Sequence, residues 1–455
     1  MDARQPAPVT QPVALTVAGS DSGGGAGIQA DLHTMATHDV FGVSAVTGAT
    51  AQHTREVVST HVIPRARVAD QIDACCTDFE IRAVKTGMLA TAEIVETVTS
   101  GVREVNAPLV VDPVMVATAG DRLLERDAES AYEDLVSHAT LVTPNTDEAR
   151  VLTGIDVTDE TTARAAGEEL RSMGADAALV TGGHRDTGAV VDVLVTEDGD
   201  HQFTHPRVTD AATHGSGCTL SAAITARLAH GEPLETAVGE STRFLERAIR
   251  YHHDVGRGSG AVNHCVDRWN EARARETLHD VESVVSSFVT ADISALVPEV
   301  GTNVAGALPY AERVDEVAAV DGRLSRVHDG VRPTGGVRFG ASSHVARFLL
   351  AAREYEPSLR FAADFRFDAD VEATLETLGW SVAEYDRAEE PDPDAEASTM
   401  GWGAQQAFAD SVATPYAVVD RGAVGKEPIC KLVARDAGTL AERSLTMLDS
   451  LPGTE

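Results

Sequence analysis

Lysine is nearly absent from this chain of 455 residues: of 37 basic residues only Lys85, Lys426 and Lys431 are lysine, and the other 34 are arginine. No basic face stands against 71 acidic residues and a formal charge of −34, which argues against nucleic acid as a partner. No apolar run approaches the roughly 20 residues of a membrane span, so no membrane partner is expected either. The stretch MDARQPAPVTQP lacks an apolar run of signal-peptide length, and a cytoplasmic protein is expected. The five cysteines (Cys75, Cys76, Cys218, Cys265 and Cys430) form no CxxC pair, and their odd number points to reduced thiols and not to a disulfide framework. A Walker lysine is missing too: Lys85-Thr86 has no glycine before it, and Lys426 is followed by Glu427. There is no internal repeat.

The acidic residues are spread along the whole chain, so they do not form a disordered tail. Such a surface repels itself in dilute buffer and is tolerated where salt shortens the Debye length to about 3 Å at 1 M. A salt-loving host follows, and any phosphate ligand must be held by a few local donors. The length exceeds one core and implies two or three domains.

The first part alternates strands (VALTVAG, GVSAVTGAT, AVKTGML, PLVVDPVMV, LVTPN, AALVTGG) with helical stretches such as IQADLHTMATHD and RVADQIDACCTDF. This alternation predicts α/β architecture, a mostly parallel sheet with helices on both faces. AVVDVLVTED and HQFTHPRV, back to back, predict an antiparallel edge pair. A first domain over 1–265, a charged helical connector over 266–284 and a second, smaller α/β domain over 285–455 are expected. RAEEPDPDAEAS (387–398) reads as a solvated loop.

Two glycine-rich turns carry the chemistry. In AGSDSGGGAGIQAD, Gly25, Gly27 and Ala30 satisfy G-x-G-x-x-A, but the strand ends too early and no carboxylate closes the next strand, so a dinucleotide site is not inferred. In HGSGCT (214–219), Gly215 and Gly217 let backbone N–H groups converge, and the following helix adds its positive end: an anion nest. A thiol at that position is expected to have a depressed pKa, which would let Cys218 accept a proton from a substrate hydroxyl.

The order of motifs (glycine-rich loop, DPVM at 112–115, TPNTDEA at 143–149, HGSGCT) resembles the ribokinase-like superfamily. Within it, AGSDSGGGAGIQADLHT, TAQHT, KTGML, DPVMV, TPNTDEA and HGSGCTLSAA resemble the hydroxymethylpyrimidine/phosphomethylpyrimidine kinases of thiamine biosynthesis, over about residues 13–265. The resemblance implies ATP and Mg²⁺ as cofactors. It implies that Asp31 and Gln52 hydrogen-bond the aminopyrimidine, with Gly19, Ala26, Met88 and Val114 lining its pocket. Asp112 and Glu148 would hold the metal, Gly215, Ser216 and Gly217 would form the anion hole, and Cys218 would be the base. The chain departs from the family where LVTGGH places Thr181 at a lysine position that contacts phosphate, and where His33 replaces another lysine.

In the second domain, VRFGASSHVARFL puts Gly340, Ser342 and Ser343 at a helix start, a further possible phosphate nest. PEVGTNVAGAL, EVAAVDGRL, VRFGASSHVAR, MGWG and VDRGAVGKEP together resemble the archaeal-type thiamine phosphate synthase (ThiN) domain, over about 285–450. That resemblance implies coupling of the pyrimidine diphosphate to thiazole phosphate, with Arg323 and His344 catalytic and Ser342, Ser343, Arg421 and Lys426 on phosphate. The expectation is therefore a bifunctional enzyme of small molecules, forming a homo-oligomer. The alternatives are a kinase fused to a non-catalytic thiamine-phosphate sensor and a pyridoxal-type kinase.

Overall fold

The computed structural model describes residues 7–115, 130–182, 188–208, 214–386, 396–409, 413–423 and 425–452. The chain divides into two compact units, Met1–Asp267 and Arg268–Glu455.

The strands of the first unit are β1 (Val13–Asp21), β2 (Phe41–His53), β3 (Glu56–Val62), β4 (Ile81–Thr86), β5 (Leu109–Val111), β6 (Leu141–Val142), β7 (Ala178–Val180), β8 (Ala189–Val195) and β9 (Asp200–Pro206). They form one sheet in the order β3-β2-β1-β4-β5-β6-β7-β8-β9. From β2 to β7 every pairing is parallel. The expected antiparallel pair β8–β9 stands at one edge. At the other edge β3 returns antiparallel on β2, a ribbon the sequence does not announce because its residues are mostly exposed and carry no alternation.

The helices are α1 (Gly27–Thr37), α2 (Arg65–Asp78), α3 (Ala92–Val102), α4 (Tyr132–Val136), α5 (Thr146–Thr153), α6 (Glu160–Ser172), α7 (Ser216–Ala229) and α8 (Leu234–Arg250). Alternate strand residues Leu15, Val17, Val84 and Val111 pack with Ile72, Ile94, Val98, Leu135 and Leu170 from α2, α3, α4 and α6. The other face takes α1 and α7. In α7 nearly every residue from Thr219 to Ala229 is buried. Its run of alanine, serine and threonine lets it approach the sheet closely, which explains why small residues follow the cysteine. The carboxyl ends of the parallel strands, where open α/β sheets bind ligands, thus face the start of α7.

In the second unit α9 (Val266–Thr290) contributes Val281, Val284, Val285 and Phe288 to a core. The stretch expected as a connector lies within this helix. The strands β10 (Val304–Ala307), β11 (Val317–Val320), β14 (Val337–Phe339), β15 (Phe361–Arg366), β16 (Val382–Tyr385), β17 (Ala417–Asp420) and β18 (Ile429–Ala434) form a sheet in the order β14-β11-β10-β15-β18-β17-β16. β12 (Leu324–Val327) and β13 (Gly330–Pro333) make a separate hairpin. Only β16–β17 is parallel. The second unit is therefore layered helix and sheet as expected, with antiparallel strands. α10 (His344–Tyr355) and α12 (Glu396–Phe408) cover one face, and α9, α11 (Ala369–Leu378) and α13 (Ala437–Asp449) cover the other. Of the acidic stretch 387–398, residues 387–395 lie outside the described residues and Glu396 already begins α12.

Candidate active site

The first unit brings its two glycine turns together. β1 ends at Asp21, whose buried carboxylate accepts the amides of Gly23 (2.7 Å), Gly25 (3.1 Å) and Ala26 (2.9 Å). Burial pushes this carboxyl up, but His214 and the turn amides outweigh it and hold the pKa below the ordinary value. The second turn docks on the first. Gly215, at the N-cap of α7, has φ +82°, and a Cβ there would lie 1.8 Å from the Gly25 carbonyl oxygen. Only glycine fits that position. His214 Nε2 lies 3.2 Å from Asp21 Oδ2 and 3.2 Å from Gln52 Nε2, so it joins both turns to β2. The motif reading assigned no role to Asp21 or His214. Their signal was an acid opening a glycine run and a ring directly before the second turn.

Ser216, Gly217 and Cys218 form the first turn of α7, where amides have no intrahelical acceptor. Gly217 is exposed and Cys218 is partly exposed, so a ligand can reach them. The expected depression of the Cys218 thiol is not found. Burial pushes it up to about 12; Lys85 and the Gly27 amide pull it down, while Asp31 and Asp112 push it further up. Burial is the main cause, with the two carboxylates adding to it.

Lys85 is the residue that motif reading missed, having weighed it only as a Walker lysine. It is fully buried on β4, opposite Thr16 of β1. Its Nζ donates to both oxygens of Asp31 (2.9 and 3.0 Å) and lies 3.8 Å from Asp112 Oδ2. Burial alone would lower its pKa, but Asp31, Cys218 and Asp112 raise it, so it stays charged. The same geometry corrects the role expected of Asp31. Its side chain is fully buried, and its oxygens already accept from Thr16 Oγ1 (2.6 Å) and Lys85. None of its side chain is exposed.

Asp112, just past β5, accepts from Ser221 Oγ of α7 at 3.0 Å. Glu148 closes a capping box at the start of α5 by accepting the Asn145 amide at 3.0 Å. Burial, then the Asp112 charge, pushes Glu148 up to about 8. Beside them the Tyr132 hydroxyl is buried and finds no hydrogen-bond partner among the described residues; burial and then both carboxylates raise its pKa. Two crowded carboxylates with an unsatisfied hydroxyl suit a hard cation that keeps several waters. Among the described residues no three His, Cys, Asp or Glu side chains cluster as a complete metal cage.

Gly19 and Met88 are in contact: a Cβ on Gly19 would fall 2.3 Å from Met88 Cε. Ala26 caps α1, and the Val114 amide bonds the Asp112 carbonyl at 2.9 Å. Thr181 follows β7, bridges to Asn145 and lines a small cleft with Thr146, Asp159 and Glu160.

The second unit holds a polar cavity of ≈ 190 Å³ lined by Asn303, Gly322, Arg323, Ser342, Ser343, His344 and Asp364, among others. Four residues singled out in the sequence thus meet. Arg323 is fixed by donating from Nη1 to the Val300 carbonyl at 2.6 Å. Ser343, at the N-cap of α10, makes no side-chain cap bond. Arg421 and Lys426 are not part of the lining. Arg421 is committed to Glu372 and Glu384, each at 2.8 Å, and Lys426 sits exposed in a turn with Ala423.

Comparison with known proteins follows this division. Residues 21–263 match the phosphomethylpyrimidine kinase family, and residues 280–446 match the thiamine-phosphate synthase ThiN family. The chain is 45% identical over 260 residues to a thiamine biosynthesis bifunctional protein ThiED of Geobacter sulfurreducens, covering 57% of this chain and 53% of that protein. It is 44% identical over 257 residues to a hydroxymethylpyrimidine/phosphomethylpyrimidine kinase of Haemophilus influenzae, covering 55% of this chain and 95% of that one. Among solved structures it resembles the ADP complex of Bacillus subtilis pyridoxal kinase, at 30% identity and a TM-score of 0.53 over 57% of this chain and 99% of that one.

Proposed function

The chain belongs to the phosphomethylpyrimidine kinase family, and from that membership we propose a two-step enzyme of thiamine biosynthesis. Its first unit phosphorylates hydroxymethylpyrimidine and then the monophosphate with ATP. Its second unit joins the diphosphate to thiazole phosphate. The observation that carries the first step is the docking of Gly215 on Gly25, which sets the amides of Ser216, Gly217 and Cys218 at the mouth of the first turn.

In this reading those amides hold the phosphoryl oxygens during transfer. The substrate ring lies against Gly19 and Met88 with Gln52 at its edge, while Ala26 and Val114 complete the pocket. Phosphoryl transfer is loose, so the alcohol proton becomes acidic only as the new O–P bond forms. A thiol with a raised pKa serves as acceptor at that late stage. The buried charge of Lys85 and the Gly27 amide stabilise the thiolate. Asp31 acts through Lys85, which it holds in place. Thr181 stands near ATP phosphate. Asp112 and Glu148 would hold Mg²⁺, which would neutralise charge on the ATP phosphates.

In the second unit the bond between the pyrimidine methylene and the diphosphate oxygen breaks, and pyrophosphate leaves with the electron pair. The thiazole nitrogen then forms the new C–N bond. Arg323, His344, Ser342, Ser343 and the start of α10 stabilise the leaving anion. The reading also includes a cytoplasmic homo-oligomer of a salt-loving host, with no nucleic-acid or membrane partner. The charge of −34 and the five free cysteines support it, and no helix among the described residues is long and apolar enough to cross a membrane.

The test supplies the full chain at high KCl with ATP and either hydroxymethylpyrimidine or pyridoxal, then adds thiazole phosphate. Diphosphate formation followed by pyrophosphate release is expected. Phosphorylation of pyridoxal alone would replace the pyrimidine reading. Tight binding of thiamine phosphate without pyrophosphate release would make the second unit a sensor. Cys218→Ala should cut phosphorylation of the alcohol by ~10²–10⁴-fold with ATP binding retained, and near-normal turnover would remove Cys218 from the mechanism.

A further inference from the structure

The cavity of the second unit has a lining of mixed sign. Arg323, Ser342, Ser343, His344 and the first turn of α10 contribute donors to it. Asp364 is the one carboxylate among the lining residues. Among the described residues no ion pair joins Asp364 to Arg323 although they line the same space. A cation and a carboxylate that line one cavity without an ion pair can meet a ligand that carries both an anion and a hydrogen-bond donor.

Asp364 is built into place. Its Oδ1 accepts the Asn303 amide at 2.5 Å, and a carboxylate has room for about three further hydrogen bonds. Asn303 is itself locked by four bonds, to Val304, to both backbone groups of Val320 and to the Gly322 carbonyl. The cross-strand partner of Asp364 is Lys431, on the same face of the sheet. Lys431 is buried, donates to Tyr385 OH at 3.0 Å and lies between the rings of Phe348 (5.2 Å) and Tyr385 (5.4 Å). Tyr385 OH donates in turn to buried Asp420 at 3.0 Å. A polar row thus crosses a sheet face otherwise made of alanine, valine and phenylalanine, and it ends in the cavity. In a chain that uses arginine almost everywhere else, a compact ammonium stands over two ring faces here.

We propose that Asp364 is a specificity-determining residue that accepts a hydrogen bond from the exocyclic amine of the pyrimidine diphosphate, with Lys431 behind it as a positioning residue. The inference rests on the synthase reading. Of the two substrates only the pyrimidine carries an N–H donor, because the thiazole nitrogen must keep its lone pair free for attack. The contact also strengthens as the bond to pyrophosphate breaks. The amine then feeds electrons into the forming pyrimidine cation, and its N–H becomes a stronger donor to the Asp364 oxygen.

The experiment uses the full chain at high KCl with synthetic pyrimidine diphosphate, its analogue bearing hydrogen in place of the amine, and thiazole phosphate. Wild type should release pyrophosphate from the amino compound with a kcat/KM well above that for the analogue, since the amine both donates to Asp364 and feeds electrons into the cation. In Asp364→Asn that preference should shrink by ~10- to 100-fold, the worth of one hydrogen bond to a charged group, leaving the electronic part, with the KM for thiazole phosphate and the kinase step unchanged. Equal turnover of both diphosphates by wild type would overturn the proposal without any variant. So would an Asp364→Asn enzyme that keeps the preference. No pyrophosphate from the natural diphosphate in wild type would instead overturn the synthase reading itself.

Discussion

His264 shows how one side chain can set an acid limit. It is buried, its Nε2 has no hydrogen-bond partner among the described residues, and burial followed by the nearby charges of His33 and His253 lowers its pKa to about 4. The folded chain therefore refuses a proton that the unfolded chain binds below about 6.5. Stability from this residue is complete above that pH and is lost as pH falls toward 4, by about 3 kcal/mol. His264→Phe should lose less stability than wild type over that window by a similar amount, in denaturant melts at fixed KCl. Parallel losses would show that the histidine is not the titrating group. Single residues also mark where motif reading stopped. Lys85 in AVKTG, Asp364 in FAADFRF and Lys431 in ICKLVAR share one signal, an ionisable residue inside an apolar strand, and each lies at or beside a candidate site. The anion turn, Asp112, Glu148 and the Arg323–His344 cavity were legible because glycine spacing and local motifs suffice. The raised Cys218 thiol was not legible, because the packing that buries it, and then the charges of Asp31 and Asp112, come from elements far away in sequence.

At the scale of elements, one buried ion pair fastens α1 to β4. Removing one partner of such a pair strands the other charge and costs about 3–5 kcal/mol. Lys85→Met should lower stability by that amount in high-salt denaturant melts, whereas Lys426→Arg should stay within about 0.5 kcal/mol. A small effect of Lys85→Met would mean that Asp31 takes up a proton readily once alone. The parallel sheet could be read from continuous apolar runs, since both faces are covered. The β2–β3 ribbon could not, since neither of its faces is buried enough to impose alternation. In the second unit the strand–helix order left strand direction open. Returns such as β10 to β11 and β17 to β18 make most pairs antiparallel, and pairing partners are not written in hydropathy.

On the scale of the whole molecule, charge decides. With −34 formal charges, self-repulsion should weaken folding as salt is withdrawn. Melting midpoints should rise through a KCl series, and a midpoint independent of KCl would defeat that expectation. The scarcity of lysine has a second consequence. Lys85 and Lys431 are buried and Lys426 alone is exposed, so the folded surface offers acylating reagents a single side-chain amine. A dye attached there reports on one known turn of the second unit, and a rise from one modified lysine to three per chain marks the opening of both cores.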